Sequence, residues 1–209
     1  MDFKTSFEKS WQVFVTFPAP ILVNTLLAAA VSIITLGIMA PVVSAGYMQS
    51  LLLALREKRK PEARDLFAHM NLFFPLLVFG ILFMLAVTLG FALLVLPGIV
   101  VVLAAAFFLL YMLPLMTDEG LGLVEAVKES TRMALEDPVS EHLAVVAVYV
   151  VLGSIGSSTG IGSLFTQPYS CLIVLCAYEE KRKRLLPGGG IRTSLEEERS
   201  APPPPPPGS

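Results

Sequence analysis

Residues 66–117 read LFAHMNLFFPLLVFGILFMLAVTLGFALLVLPGIVVVLAAAFFLLYMLPLMT, and these 52 positions contain no Asp, Glu, Lys or Arg. A helix that crosses the hydrocarbon core of a bilayer needs about 20 apolar residues, because each residue adds about 1.5 Å of length. The run is therefore long enough for two crossings. Leu96-Pro97-Gly98 lies near its middle, and proline and glycine favour a turn there. The pattern predicts an apolar helical hairpin.

Two further runs without these charged residues lie on either side, at residues 18–55 and 142–178. Each is also long enough for two crossings and is interrupted by glycine or proline. Three hairpins predict an all-α fold, namely a polytopic membrane helix bundle of six transmembrane helices. The predicted spans are residues 19–37, 40–56, 72–94, 98–116, 141–157 and 161–178.

The composition also indicates an integral membrane protein. Of 209 residues, 55% are hydrophobic and 15% are charged, and the mean hydropathy is +0.72. Soluble domains carry about 25% charged residues. The net charge of -2 says little about partners, because the charges gather in a few blocks. We expect the lipid bilayer to be the main partner and expect no nucleic-acid partner.

The basic residues predict the orientation of the hairpins. All 15 Lys and Arg residues lie outside the three turns in the uncharged runs. By the positive-inside rule, both termini and both long loops are cytoplasmic. The first residues show no compact apolar stretch followed by a small-residue cleavage site, so we expect no removable signal peptide.

Short amphipathic helices are predicted at the inner membrane surface, before the first and the fifth span. Apolar residues at helical spacing form one stripe on each, opposite the charged residues. The stripe of the first helix consists of Phe3, Phe7, Trp11 and Phe14. That of the second, within residues 120–136, consists of Leu123, Val124, Val127 and Ala134.

The chain divides into a six-helix transmembrane domain, residues 1–184, and a cytoplasmic tail, residues 185–209. The tail lacks an apolar period and contains six consecutive prolines, so we expect it to be disordered, with an extended proline helix. Whether it binds a partner is left open.

The stretch GSIGSSTGIGS, residues 153–163, has the glycine spacing of a phosphate-binding loop. Such a loop needs a preceding strand, a following helix and usually a lysine, whereas here the flanks are apolar spans on the predicted outer side. Gly156 and Gly160 form a pair of small residues one turn apart, which favours close packing between the last two spans.

The sequence shows no reactive constellation. The uncharged runs leave no visible proton relay or charged ion site. His69 and His142 lie at inner span ends, where imidazole suits the headgroup region, and they lack the spacing of a metal site. Cys171 and Cys176, five apart in one run, favour packing over a disulfide. We expect a non-enzymatic protein with no catalytic residues, no cofactor and no metal.

Two basic clusters are candidate contacts for anionic lipid, at about 1 kcal/mol per well-placed charge, although topology alone would also produce them. They comprise Arg56, Lys58, Arg59, Lys60, Lys181, Arg182, Lys183 and Arg184. Three polar side chains inside the spans, Asn24, Gln49 and Gln167, are candidate intramembrane contacts. Such groups usually form interhelical hydrogen bonds, for example between Asn24 and Gln49, or line a polar cavity.

Residues 96–138 carry a family resemblance. It rests on Leu96-Pro97-Gly98, on Pro114 with Asp118 and Gly120, and on Glu125-Ala126 followed by Ser130. This stretch resembles bacterial six-span inner-membrane proteins of largely unknown function. These include the YciC-like proteins and the membrane domain found beside some glycerophosphodiester phosphodiesterases. The resemblance implies a six-helix bundle in a bacterial inner membrane and carries over no catalytic residue.

Two functional hypotheses follow. The first is a non-enzymatic accessory or scaffold protein in envelope or lipid homeostasis, with a membrane-protein partner or a homo-oligomer left open. The alternative is a small transporter or lipid-translocating bundle. An interfacial enzyme would require acidic residues of the inner face to converge with a histidine in one pocket.

Overall fold

The computed structural model describes residues 3–136, 139–159 and 162–185. Nine α-helices lie within these ranges, with two 3₁₀ turns between the third and the fourth, and these ranges contain no strand. The α-helices are α1 (Phe3–Thr16), α2 (Pro18–Ile34), α3 (Ala40–Glu57), α4 (Phe73–Leu93), α5 (Val95–Phe108), α6 (Met112–Asp118), α7 (Leu123–Leu135), α8 (Val139–Thr159) and α9 (Ser163–Leu185). The all-α prediction is confirmed. Of the predicted tail, only Leu185, which ends α9, is among the described residues.

Three helical segments are long and apolar enough to cross a membrane: Ala63–Leu93, Val95–Asp118 and Val139–Gly156. A fourth, Ser6–Thr16 with Pro18–Ile34, qualifies only as a pair bent by 89°. The described helices are therefore compatible with a membrane protein of several spans.

The central pair of the bundle is α3 and α9. All residues from 170 to 178 in α9 are buried, and α9 packs against α1, α2, α3 and α8. Both helices carry polar residues on faces that contact other helices, such as Ser50 and Ser170. A helix surrounded by protein tolerates such residues when their hydrogen bonds are made within the protein. Ser50 donates to Asp65 of the first loop, and Ser170 donates to the backbone carbonyl of Gln167 in its own helix. This explains why α3 and α9 are less apolar than the three segments above.

The hairpin of α4 and α5 lies at the edge of the bundle. In α4 only Leu76 and Gly90 are buried. A Cβ on Gly90 would lie 3.0 Å from the Cα of Gly98, so glycine permits the close approach of the two helices. The remaining surface is apolar and exposed, as expected for helices that face lipid. The break lies at Leu94, and Pro97 occupies the first turn of α5, which tolerates proline.

The predicted span 98–116 is interrupted, because α5 ends at Phe108 and α6 begins at Met112. Two other helices bind the backbone freed at this break. Ser130 of α7 donates to the carbonyl of Phe108 (2.7 Å) and accepts from the backbone N–H of Tyr111 (3.2 Å). Nε2 of His142 in α8 lies 2.7 Å from the carbonyl oxygen of Phe107. Irregular backbone at membrane depth needs such partners.

One expectation about surface position was wrong. His142 is fully buried, 0% exposed, rather than in the headgroup region, since it bonds to Phe107 and Tyr111. Val124 of α7 is 65% exposed, because the buried face of α7 consists of Ala126, Ser130, Met133 and Ala134. On α1, Ser6 and Ser10 are buried, and Phe7 and Phe14 of the predicted stripe also contact the bundle.

The first long loop folds back onto the bundle. Asp65 and Leu66 are buried against α3, and Oδ2 of Asp65 accepts from Ser50 (3.0 Å) and from the backbone N–H of Glu62 (3.1 Å). A Cβ on Gly46 of α3 would lie 2.6 Å from the carbonyl oxygen of Asp65. The helix and the loop backbone therefore touch directly, and only glycine fits at position 46.

Candidate functional site

The carboxyl ends of α3, α6 and α9 meet in a network of charged side chains. Arg56 of α3 donates from Nη1 and Nη2 to the two carboxylate oxygens of Asp118 in α6, at 2.6 and 2.8 Å. Its Nε donates to Glu179 of α9 at 2.6 Å, and the hydroxyl of Tyr178 donates to Asp118 at 3.1 Å. Parallel bonds of this kind are among the stronger ones in proteins.

A second arginine extends this network. Arg182 of α9 bonds to Glu119, whose side chain is almost fully buried, and lies 3.8 Å from Asp118. The side chain of Asp118 is only 9% exposed and lies between Arg56 and Arg182. Carboxylates removed from water in this way need cationic partners, since desolvation of an unpaired charge is costly.

Two other basic residues of α9 also bind the protein itself. The ammonium group of Lys181 donates to the backbone carbonyl of Met133 in the last turn of α7, where carbonyls lack helical partners. Burial lowers the pKa of Lys181 from its ordinary value. Arg184 bonds to Glu141 of α8 and to Glu180, each at 3.0 Å.

The eight basic residues predicted to contact lipid therefore divide into two groups. Five are held by protein groups: Arg56, Arg59, Lys181, Arg182 and Arg184. The other three, Lys58, Lys60 and Lys183, are exposed and form no ion pair with the residues that the structure describes. A contact to an external anion is therefore open mainly to these lysines.

A groove of about 980 Å³ opens between α1, α3 and α9 beside the network. Its apolar lining includes Trp11, Val13, Val15, Phe17 and Leu55. Its charged lining includes Lys9, Arg56, Lys58, Glu179, Glu180 and Lys183. The groove is thus lined by apolar residues of α1 and α3 and by charged residues at α1, α3 and α9.

The position of α1 results from two small polar residues. Ser10 Oγ donates to the backbone oxygen of Ser6 at 2.8 Å and lies 3.5 Å from Sγ of Cys176 in α9. Their small size lets α1 pack closely on α9. Trp11 contacts the ring of Tyr169 edge-on, with centroids 6.3 Å apart, and remains 58% exposed. The aromatic residue is therefore accessible beside the groove.

The three predicted intramembrane polar residues do not come together. Asn24 donates to the backbone carbonyl of Glu62 (3.2 Å) rather than to Gln49, because the folded-back loop lies beside it. Gln49 has a buried Oε1 without a described partner, and Nε2 of Gln167 lies 3.8 Å from Sγ of Cys171. The bond that joins α2 to α3 is between the hydroxyls of Thr25 and Tyr47, at 2.8 Å.

Of the two glycines predicted to pack the last hairpin, Gly156 is buried. A Cβ there would lie 3.1 Å from the Cα of Ser163, where α9 begins. Gly160 lies outside the described residues. Cys171 and Cys176 are both buried and free, which agrees with a packing role.

Within the described ranges, no group of three or more His, Cys, Asp or Glu residues is arranged to hold a metal ion. Comparison of the chain with profiles of known protein families, with curated proteins and with solved structures found no match. The function must therefore be argued from the network and the groove.

Proposed function

We propose that this chain is a non-enzymatic, multi-pass protein of a bacterial inner (plasma) membrane that acts as an accessory or scaffold in envelope or lipid homeostasis. The observation that carries the proposal is the network of Arg56, Asp118, Glu179 and Arg182. These charges bind one another and hold three helix ends together. Glu141 and Glu180 meet His142 at a separate pocket, but its volume of about 10 Å³ is that of a single water molecule and leaves no room for a substrate.

The same network supports six spans with both ends in the cytoplasm. Arg56, Asp118 and Glu179 lie at or just after the ends of the predicted second, fourth and sixth spans. In an up-and-down bundle with a cytoplasmic amino terminus, these three ends return to the cytoplasmic side. Their mutual bonds, at 2.6 Å for Arg56 with Asp118 and 2.6 Å for Arg56 Nε with Glu179, require a shared side.

Helices form most of each predicted span among the described residues, and the resemblance of residues 96–138 to YciC-like proteins favours the same arrangement. On this proposal α2, α3, α4, the consecutive helices α5 and α6, α8 and α9 cross the bilayer. The two 3₁₀ turns between α3 and α4 then lie at the cytoplasmic face together with α7. The groove opens toward the inner leaflet.

The alternative, a transporter or lipid-translocating bundle, has one observation in its favour. Gln49 carries a buried amide oxygen without a described partner, and the break between α5 and α6 has the form of a discontinuous span. However, Asn24, Gln49 and Gln167 do not line the groove beside α1. Reconstituted protein should therefore leave the transbilayer distribution of labelled phospholipid unchanged.

A deletion strain of the source bacterium tests the proposed function. We expect loss of the protein to change envelope permeability to a hydrophobic dye and to change the phospholipid composition, with both restored by the wild-type gene. A variant with Gly153→Ala should restore them as well, because the added methyl group meets no atom within 4 Å. An unaltered envelope in the deletion strain, or lipid turnover by the purified protein, would contradict the proposal.

A further inference from the structure

The groove between α1, α3 and α9 has the size of a ligand site. Its volume of about 980 Å³ lies at the upper end of the range of roughly 300–1,000 Å³ found for small-molecule pockets. It is partly open to the surface of the protein. An occupant could therefore enter laterally from the membrane surface.

The groove carries unbalanced positive charge. Its two carboxylates are already engaged, because Glu179 accepts from Arg56 and Glu180 accepts from Arg184 at 3.0 Å. Lys9, Lys58 and Lys183 also line it and form no ion pair with a described residue. An anion would gain three cationic neighbours without displacing an existing pair.

One of these lysines occupies a position where its residue type is unfavourable. Lys58 follows the last turn of α3 with φ of 53°, in the left-handed region that glycine adopts most easily. A lysine there places a cation at the groove in spite of the backbone cost. Replacing Lys58 by glycine should therefore remove the charge without destabilising the fold, since glycine adopts this backbone conformation more easily.

The groove also has an apolar part, formed by residues of α1 and α3. Trp11 and Val15 of α1 are each more than half exposed, and Leu55 of α3 completes this part. Tryptophan favours the interface between headgroups and acyl chains. A ligand that satisfies both parts must have an anionic head and an apolar chain, which a free phosphate ion lacks.

We propose that this groove binds an anionic phospholipid of the cytoplasmic leaflet. The phosphate and headgroup lie among Lys9, Lys58 and Lys183, and the upper acyl chain lies along Trp11 and Val15. The inference rests on the proposed function only for the side of the membrane on which the groove opens. It adds a specific ligand class and a site to that function.

Trp11 is the only tryptophan of the chain and reports directly on the lipid beside it. The experiment uses the full chain in vesicles of phosphatidylcholine with brominated acyl chains, which quench tryptophan fluorescence. Part of this lipid is replaced by phosphatidylglycerol without bromine. Preferential binding of phosphatidylglycerol at the groove relieves the quenching more than the bulk lipid ratio predicts.

We expect a preference for phosphatidylglycerol over phosphatidylcholine of about fivefold or more, since each well-placed charge contributes about that factor. The variant Lys58→Gly with Lys183→Ala should lower this preference by about fivefold or more, because only Lys9 of the three lysines remains. The matched control, Lys60→Ala with Lys128→Ala, removes the same charge from exposed positions that do not line the groove and should keep the preference. Thermal unfolding should show that Lys58→Gly alone is at least as stable as wild type.

Three results would overturn the inference. The first is an equal affinity of the wild-type protein for both lipids, and the second is an unchanged preference in the groove variant. The third is loss of the preference when inorganic phosphate replaces chloride at equal ionic strength, because a simple anion would then suffice. Suppose that one of these results is found but the deletion strain still shows the envelope change. The lipid site is then wrong, and the proposed function stands.

Discussion

Arg56 of α3 and Asp118 of α6, 62 positions apart in the chain, are joined by two parallel hydrogen bonds of 2.6 and 2.8 Å. The pair fixes the ends of two helices that otherwise belong to different hairpins. Glu179 and Arg182 bring α9 into the same arrangement. The protein thus has a polar clamp at one end of an apolar bundle, and most of the predictions below depend on it.

Removal of the central carboxylate should destabilise the fold. We expect Asp118→Ala to lower the free energy of unfolding by about 2 kcal/mol, since it leaves Arg56 and Arg182 partly buried without their shared partner. The control is Glu129→Ala, which breaks the surface pair with Arg132, whose side chain is 59% exposed. That variant should cost at most about 0.5 kcal/mol. Thermal unfolding in detergent compares the two, and equal losses would contradict a structural clamp.

Two glycine-to-alanine substitutions test whether the first long loop packs directly on α3. Gly46→Ala should cost about 2–3 kcal/mol, because the new Cβ would lie 2.6 Å from the backbone oxygen of Asp65, which cannot move easily. Gly153→Ala introduces the same methyl group into a helix where no atom lies within 4 Å. It should be neutral or stabilise by up to about 1 kcal/mol. Equal unfolding midpoints for the two variants would show that the loop backbone does not contact α3 at this position.

Ser130 should stabilise the break between α5 and α6. Ser130→Ala leaves the backbone N–H of Tyr111 and the carbonyl of Phe108 without this partner, at a cost of about 1–2 kcal/mol. Thr88→Ala is the comparison, because the Thr88 hydroxyl bonds only within its own helix, to Met84. Hydrogen exchange at residues 108–112 should accelerate in the first variant alone. Unchanged exchange there would rule out this role.

The burial of Lys181 should make the stability of the protein depend on pH. Burial lowers its pKa in the folded protein, so the folded state releases this proton at a lower pH than the unfolded state. Stability therefore rises with pH between the folded pKa and the ordinary value near 10.5. In Lys181→Met this contribution is absent. The stability of the wild type relative to the variant should increase from pH 8 to pH 10, and a flat or falling difference would contradict the burial.

The apolar runs predicted the helices well, because length and absence of charge are properties of the chain itself. The partners of the basic residues could not be predicted in the same way. Arg56 and Arg182 lie close to Lys58 and Lys183 in sequence, yet only the arginines bond to the acidic pair at the end of α6. A useful signal was present, since an acidic pair after the fourth span lies on the same predicted side as both basic clusters.

Positions on the short helices were harder to predict than the helices. The apolar stripe of α1 was expected to determine its placement, but the small residues Ser6 and Ser10 allow the closest approach to α9. In α7, Ser130 is buried because the break in α5 and α6 needs its hydroxyl. Hydrophobic periodicity along one helix could not predict the burial of these serines, since it depends on contacts with a neighbouring helix.

Cysteine labelling at Ser158 tests the central claim most directly, because the proposed six spans place this exposed position of α8 on the outer side. The experiment uses Ser158→Cys, with Cys171 and Cys176 replaced by alanine, in intact cells. Lys60→Cys in the same background serves as the cytoplasmic control. The account predicts that a membrane-impermeant maleimide modifies position 158 from outside and position 60 only after the cells are opened. Modification of position 158 only from the cytoplasmic side would contradict six spans and the placement of the network and the groove at the inner face.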